Sequence, residues 1–272
     1  MEDLSEELEF AIELAKKAGK IVMKNAHCNV SIAYKKNEHD PVTAADLEAD
    51  AYIISEIKKK FPEDGILTEE SKNDLSRLKK ERVWIIDPVD GTLNFKEYAL
   101  SDCTKKEFRY FAVQIGLTIN KEAVLGVLYA PALDELYYAS KGSGSYKIVK
   151  GKKETMRIKN ASKNELNIAA RENFLSTDMG KKMIPAVKEW MPYGRVFGYY
   201  IAAIADGRID AYISIYQFFG EWDFCAPQVI LEEAGGKMTH INGKKIKYNN
   251  EKQDPYKDIL AQKEKDTIKF NQ

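Results

Sequence analysis

Residues 84–95 read WIIDPVDGTLNF: an apolar run from Trp84 ends in Asp87 and Asp90, and Gly91-Thr92 follow at once. VWIID, residues 83–87, has the length and composition of a short buried strand. Such a strand carries its terminal acids to one edge of a sheet, where ligands of sheet-based folds often bind. Pro88-Val89 fixes the backbone between the two acids and offers the Val89 carbonyl as another oxygen. Gly91 permits close backbone approach, and a helix beginning there turns free N–H groups toward a phosphate. The same residues also suit a plain turn, because Asp, Pro and Gly are all turn formers. Taken alone, the stretch leaves both readings open.

Three further acidic sites stand at element ends: Asp46 early in a helical pattern, Glu69-Glu70 after a strand, and Asp223 at the start of a helical pattern. Singly each has an ordinary explanation, a helix terminus or a solvated pair. Together they make a set of hard oxygen ligands without matching His or Cys, which suits Mg²⁺ or Mn²⁺ and argues against zinc.

The chain has 272 residues, 44% hydrophobic and 31% charged, with 42 basic and 42 acidic side chains. The neutral balance offers no basic surplus for nucleic acid or a membrane surface. No apolar run approaches the roughly 18 residues that span a bilayer, and MEDLSEELEFAIELAKKAGK lacks the form of a signal peptide. Cys28, Cys103 and Cys225 form neither a disulfide framework nor a zinc pattern, so a reducing cytoplasm is expected.

The spacing of apolar residues predicts a long first helix over residues 8–26 and a second over 42–61, with Thr43 as cap. ILTEE reads as a short strand and SKNDLSRLKKER as a polar connection. FAVQIGLTI, AVLGVLYAP, ELYYAS and the segment around KGSGSYKIVKGKKE predict a meandering antiparallel sheet. Beyond residue 160 the pattern alternates: strand LNIAAR, helix TDMGKKMIPAVKEW, a strand or helix around GRVFGYYIAAIADG, strand IDAYISIY, and a helix from Asp223 to Glu233 stopped by Gly235-Gly236. The lysine-rich stretch KKIKYNNEKQDPYKD reads as solvated surface.

WIIDPVDGTLNF resembles the W-x-x-D-P-x-D-G-T-x-N-F signature of the inositol monophosphatase family of Mg²⁺-dependent, lithium-sensitive phosphatases. EWDFCAPQVILEEAGG resembles its second signature, and DPVTAAD and LTEES resemble two upstream blocks in the expected order. The resemblance runs from the first helix to about residue 240. It implies an α+β fold, a layered αβαβα sandwich of the sugar-phosphatase type, usually dimeric. The chain is then one phosphatase unit over residues 1–272 in two intimate halves: a metal-binding half over about 1–155 and a substrate half over about 156–272 that contributes Asp223.

For matching positions the resemblance implies that Glu69, Asp87 and the Val89 carbonyl hold one Mg²⁺, and that Asp87, Asp90 and Asp223 hold a second. Glu70 orients water and assists a weaker third ion. Thr92, hydrogen-bonded to Asp46, activates the attacking water, and the Gly91 and Thr92 N–H groups receive the phosphate. Lys36 matches a mobile-loop lysine. The expected reaction is hydrolysis of a small phosphate ester, an inositol monophosphate or a sugar phosphate, with no nucleic-acid or membrane partner. Phosphomonoester hydrolysis requires mainly positioning and charge neutralisation, which this set supplies.

Departures from the family pattern lie on the substrate side. Thr68 stands where Gly commonly precedes Glu-Glu, and the small-residue block beside the substrate reads Gly198-Tyr199-Tyr200. An acid that contacts inositol hydroxyls has no clear counterpart, with Ser214, Tyr216 and Gln217 in its region. Substrate contacts are therefore expected at Asp90, Gly198, Tyr199 and Tyr216. An additional segment, Lys96–Tyr110, reads equally as a lid or dimer contact and as a surface insertion. KKNEHDPVTAAD and AVLGVLYAPALDELYYA also resemble the 3'-phosphoadenosine 5'-phosphate phosphatases, against which Asn94 argues. A fructose bisphosphate would need basic residues, with Arg171, Lys181 and Arg195 as candidates. A reading of another class is a non-catalytic member that binds protein or RNA; the complete acid set and the neutral charge weigh against it.

Overall fold

The computed structural model describes residues 3–26, 32–34, 41–158, 166–170, 174, 177–183, 187–190, 196–214, 219–252, 258–263 and 268. Its largest element is a seven-stranded sheet in the order β3-β4-β5-β6-β7-β8-β9. These strands are β3 (Gly65–Thr68), β4 (Arg82–Asp90), β5 (Ala112–Ile119), β6 (Glu122–Ala130), β7 (Glu135–Ser140), β8 (Gly144–Val149) and β9 (Lys152–Met156). β3 joins β4 in parallel, and every later pair is antiparallel; from β5 to β9 short turns join the strands, as antiparallel neighbours allow.

Alternation along the strands sorts the core into two layers. Trp84, Ile86, Val113, Ile115 and Leu117 share one buried cluster with Ala11, Leu14, Ala18, Ala49, Ile53 and Ile57 of the helices α1 (Ser5–Ala26) and α2 (Ala44–Lys60). Val83, Ile85, Ala112 and Leu128 belong to a second cluster, with the helices α5 (Phe197–Ala205) and α6 (Cys225–Glu233). That middle helical layer also meets Tyr212, Met238 and Ala261 of a five-stranded sheet. The second sheet has the order β11-β10-β12-β14-β13, formed by β10 (Leu166–Ala170), β11 (Val187–Trp190), β12 (Ala211–Ser214), β13 (Lys237–His240) and β14 (Ile259–Gln262). Phe174 and Ile268 join Leu166, Ile168, Ile213 and Leu260 in a third cluster. A small ribbon of β1 (Ile32–Tyr34) and β2 (Pro41–Thr43) leads into α2. The molecule is thus a layered α+β sandwich.

α6 sits unusually close to the large sheet because Gly116 and Gly126 face each other across β5 and β6. A Cβ on Gly126 would come within 2.1 Å of the Ala226 carbonyl oxygen, and one on Gly116 within 2.5 Å of Cys225 Sγ. The bare backbone at this pair forms a notch that receives the first turn of α6.

Three expectations need correction. TDMGKKMIPAVKEW is not one helix: α4 (Asp178–Met183) is followed by strand β11, and Pro185 is the residue that an uninterrupted helix would not tolerate there. The helix expected from Asp223 begins at Cys225, leaving Asp223 in the turn before it. The polar connection contains a 3₁₀ turn, Leu75–Lys79, and a fully buried Arg77. Arg77 donates to Asn249 Oδ1 at 2.6 Å and to the Asn250 carbonyl at 2.8 Å, partners too distant in sequence to be read from it. GRVFGYYIAAIADG, open between strand and helix, is helical as α5.

Candidate active site

Residues three apart on a regular strand point to opposite faces. Asp87 and Asp90 nevertheless come together, because β4 is irregular between them. Asp87 pairs with Gln114 and Asp90 with Ala112, so three steps along β4 answer two along β5. This is a bulge of one extra residue between Asp87 and Asp90, in a stretch where Pro88 has no N–H to give to the ladder. The extra residue returns Asp90 to the side of Asp87, and the Val89 N–H donates to Asp87 Oδ1 at 3.0 Å.

Asp223 completes a trio. One carboxylate oxygen from each of Asp87, Asp90 and Asp223 lies within 4.8 Å of the other two. The turn before α6 holds Asp223 in place, its Oδ2 accepting the Gly220 N–H at 2.8 Å. Asp90 is anchored from the opposite direction by the start of α5: its oxygens accept the N–H groups of Phe197 at 3.2 Å and Gly198 at 2.7 Å. Glu69 and Glu70 are half-buried just beyond β3, where the Glu69 N–H donates to the Ile86 carbonyl at 3.2 Å.

Beside the trio, α3 (Thr92–Leu100) begins at Gly91, whose φ of 90° is left-handed. A Cβ at Gly91 would also lie 2.7 Å from Val196 Cγ2, so conformation and space both require glycine. The Thr92 hydroxyl has two acceptors within reach, Asp46 Oδ1 at 3.0 Å and the Val89 carbonyl at 3.1 Å. The other oxygen of Asp46 accepts from the Thr43 N–H at 2.8 Å and the Thr43 hydroxyl at 2.5 Å, which ties the α2 N-terminus to the site.

Burial acts strongly on this group. Asp87 is 2% exposed and Asp90 4%. Desolvation, then repulsion from Glu69, Asp90, Asp223 and Glu70, drives the Asp87 carboxyl far above its usual range. Burial raises Asp90 to about 7 against hydrogen bonds from Gly198 and Phe197, and raises Asp46 to about 6 against those from Thr43 and Thr92. The charges acting most strongly on Asp87 are all acids. Carboxylates buried together without neutralisation are costly, and an all-oxygen trio free of His and Cys is a hard donor set. These residues fit a divalent cation.

The structure brings Asp87, Val89, Asp90, Gly91, Thr92, Asp46 and Asp223 to one place, and Glu69 and Glu70 act on Asp87 from nearby. Two substrate-side expectations look different in their surroundings. Tyr199 points into the core: its hydroxyl donates to Glu135 Oε2 at 2.9 Å and accepts from Arg208 at 2.8 Å. Gly198 is buried with its N–H given to Asp90. Lys36, Arg171, Arg195, Tyr216 and Gln217 lie outside the described residues, while Lys181 is exposed on α4. The segment Lys96–Tyr110 continues α3, turns, and returns at Tyr110, whose carbonyl accepts the Asn94 amide N–H at 2.8 Å and whose ring meets that of Tyr199 at 4.9 Å.

Sequence reasoning missed two supports. The Thr68 hydroxyl accepts the Ser71 N–H at 3.0 Å, and the Ser71 hydroxyl donates to Asp50 Oδ2 at 2.5 Å, closing the loop that carries Glu69-Glu70. The available signal was a Thr and a Ser flanking the acid pair, the makings of a side-chain-closed turn. The second is Gln114, fully buried opposite Asp87. A polar residue in the apolar run FAVQIGL was its signal.

The model of the family described as "Inositol monophosphatase family" matches residues 3–265. The chain belongs to the inositol monophosphatase family. It is 32% identical over 241 residues to an inositol-1-monophosphatase of Bacillus subtilis, covering 85% of each chain. It is also 32% identical over 240 residues to a fructose-1,6-bisphosphatase/inositol-1-monophosphatase of Thermotoga maritima, covering 87% of this chain and 86% of that one. Among solved structures, CysQ of Bacteroides thetaiotaomicron superposes with a TM-score of 0.75 at 26% identity, over 97% of this chain and 100% of that one. As a member of the inositol monophosphatase family the protein is a phosphomonoesterase, and the family implies use of a divalent metal.

Proposed function

We propose that the enzyme hydrolyses a small phosphate monoester, an inositol monophosphate or a sugar phosphate, with Mg²⁺ as its ion. The observation that carries this reading is the Thr92–Asp46 hydrogen bond beside the Asp87, Asp90 and Asp223 trio. The trio, with Glu69 and the Val89 carbonyl, would hold the cations. Bound there, a divalent cation supplies Lewis acidity, activating water and stabilising the leaving oxygen.

The protein's own groups do the rest. N–H groups of the first turn of α3 have no partner within the helix and receive phosphate oxygens. Asp46, with its carboxyl near neutrality, takes the Thr92 proton as the Thr92 oxygen takes one from the attacking water. Thr43 fixes the orientation of Asp46 throughout, so the relay needs no rearrangement. Asp90, held by the N–H groups of Phe197 and Gly198, keeps one edge of the site in register with α5. A homodimer belongs to the same proposal on the family resemblance, and a cytoplasmic location on the pattern of Cys28, Cys103 and Cys225. Among the described residues no helix is long and apolar enough to cross a membrane.

Phosphate release measured with and without Mg²⁺ tests the reading, using inositol 1-phosphate, fructose 1,6-bisphosphate, 3'-phosphoadenosine 5'-phosphate and NADP. Mg²⁺-dependent turnover of the first or second, lost in Asp90→Asn, is expected. Preference for the adenosine compound would reassign the substrate, and full Mg²⁺-dependent activity in Asp90→Asn would remove the assigned chemistry.

A further inference from the structure

Gln114 is a buried amide that the catalytic assignment leaves unused. It is 0% exposed, lies in the middle of β5 and pairs in register with Asp87. Neither its Nε2 nor its Oε1 has a hydrogen-bond partner among the described residues. Buried side-chain amides are ordinarily paired, so an amide left open on both atoms calls for a cause.

Its surroundings supply one. The amide lies flat against Gly198, where a Cβ would stand 2.6 Å from Nε2, 2.7 Å from Cδ and 2.8 Å from Oε1. Gly198 is the residue whose N–H donates to Asp90 Oδ2. The amide also reaches the Asp90 charge, favouring the ionised form, although no hydrogen bond has closed between them. Asp90 thus has two backbone donors from α5 and a third, uncommitted donor from β5. A carboxylate offers about four acceptor positions, so a third donor still leaves one for a cation. A lysine in the place of Gln114 would also donate, but its charge would cancel the field that draws the cation. A neutral amide orients the carboxylate and leaves its charge available.

We propose that Gln114 is a positioning residue of the acid site: its amide N–H turns Asp90 toward a bound divalent cation, and position 198 is glycine to leave the amide its place. The inference rests on the reading of the acid trio as the cation site of the phosphatase.

The test is Mg²⁺ binding to the chelator-stripped full chain, measured by calorimetry for the wild type, Gln114→Leu and Gln114→Met. Both variants remove the amide, Gln114→Met at about the original length and Gln114→Leu with a shorter branched side chain, and circular dichroism checks the fold of each. Partners of metal ligands contribute about 10-fold or more to affinity, so Mg²⁺ binding is expected to weaken about 10-fold in both variants. The Mg²⁺ concentration for half-maximal turnover should rise equally, while KM for the ester at saturating Mg²⁺ stays unchanged. Gly198→Ala, which displaces the amide, should show the same shift. Wild-type Mg²⁺ affinity in either folded Gln114 variant would reduce the amide to packing and overturn the proposal, as would a wild-type chain that binds no Mg²⁺. If the wild type binds Mg²⁺ yet releases phosphate from no ester, the phosphatase reading falls, and the binding constants still decide the role of Gln114.

Discussion

Replacing Asp87 with asparagine is expected to stabilise the chelated protein while removing its activity. The reasoning starts from proton linkage in the wild type. Burial pushes the Asp90 carboxyl up to about 7 from an ordinary 3.8, and that of Asp46 up to about 6. A carboxyl with a raised folded pKa binds more protons folded than unfolded, so its contribution is complete below the unfolded value and is lost as pH rises through the folded one. For Asp90 the full loss is about 4 kcal/mol, at 1.36 kcal/mol for each unit. Roughly 3 kcal/mol of it falls between pH 5 and pH 8, and Asp46 adds about 1 kcal/mol in the same window. For a chain of this size about 4 kcal/mol corresponds to a Tm change on the order of 10 °C. Differential scanning calorimetry in chelator should therefore show Tm falling by that order from pH 5 to pH 8, and Mg²⁺ should restore it at the upper end. Asp87→Asn replaces the acid whose ionisation burial and the neighbouring acids oppose, so its share of the loss at rising pH disappears, and the new amide oxygen can still accept the Val89 N–H. At pH 8 in chelator the variant should melt above the wild type, lose Mg²⁺ rescue and hydrolyse nothing. A chelated wild type with Tm flat or rising over this interval would refute the electrostatic account.

Thr92→Ala should lower kcat by about 10²- to 10⁴-fold, the range of general acid–base assistance, with Mg²⁺ binding by calorimetry left intact. Thr68→Val removes the acceptor for the Ser71 N–H and should cost about 1–3 kcal/mol in urea unfolding, with a higher Mg²⁺ requirement for turnover. Gly126→Ala places a methyl on the Ala226 carbonyl, so α6 must lift; a loss of about 3 kcal/mol in stability is expected, with Mg²⁺ affinity falling as Asp223 moves away. If this variant kept wild-type Mg²⁺ affinity, the notch would have no part in seating Asp223.

The legible parts of this chain are those encoded over short distances. The apolar run before Asp87 predicts a buried strand, and Thr43 with Asp46 three residues later predicts a helix start; both hold. The antiparallel meander follows from closely spaced strand runs and their turns. Pro88 marks the bulge that brings Asp87 and Asp90 to one side, although the two-against-three register requires a partner strand that sequence cannot supply. TDMGKKMIPAVKEW misled because its apolar spacing suits a helix, while β10 offered VKEW a parallel edge. Tyr199 reads from sequence as a pocket wall beside Gly198, and what sequence does not show is that its hydroxyl bonds to Glu135, distant along the chain, and to Arg208, a few turns on. Arg77 and Gln114 were illegible for the same reason: a polar side chain in one segment gives no account of which distant segment will bury it.

The order in which the acids appear along the chain has a consequence for biosynthesis. Asp87 and Asp90 lie in β4, but the third oxygen donor arrives only with Asp223, and its seat is the notch of Gly116 and Gly126. A nascent chain can therefore lay down the whole seven-stranded sheet while two of its buried acids lack their third companion. On the proposed cation assignment, the site formed by Asp87, Asp90 and Asp223 would be complete only once α6 docks. A cation held there would latch α6 onto a sheet made before it, and metal supply would set how firmly that docking is held.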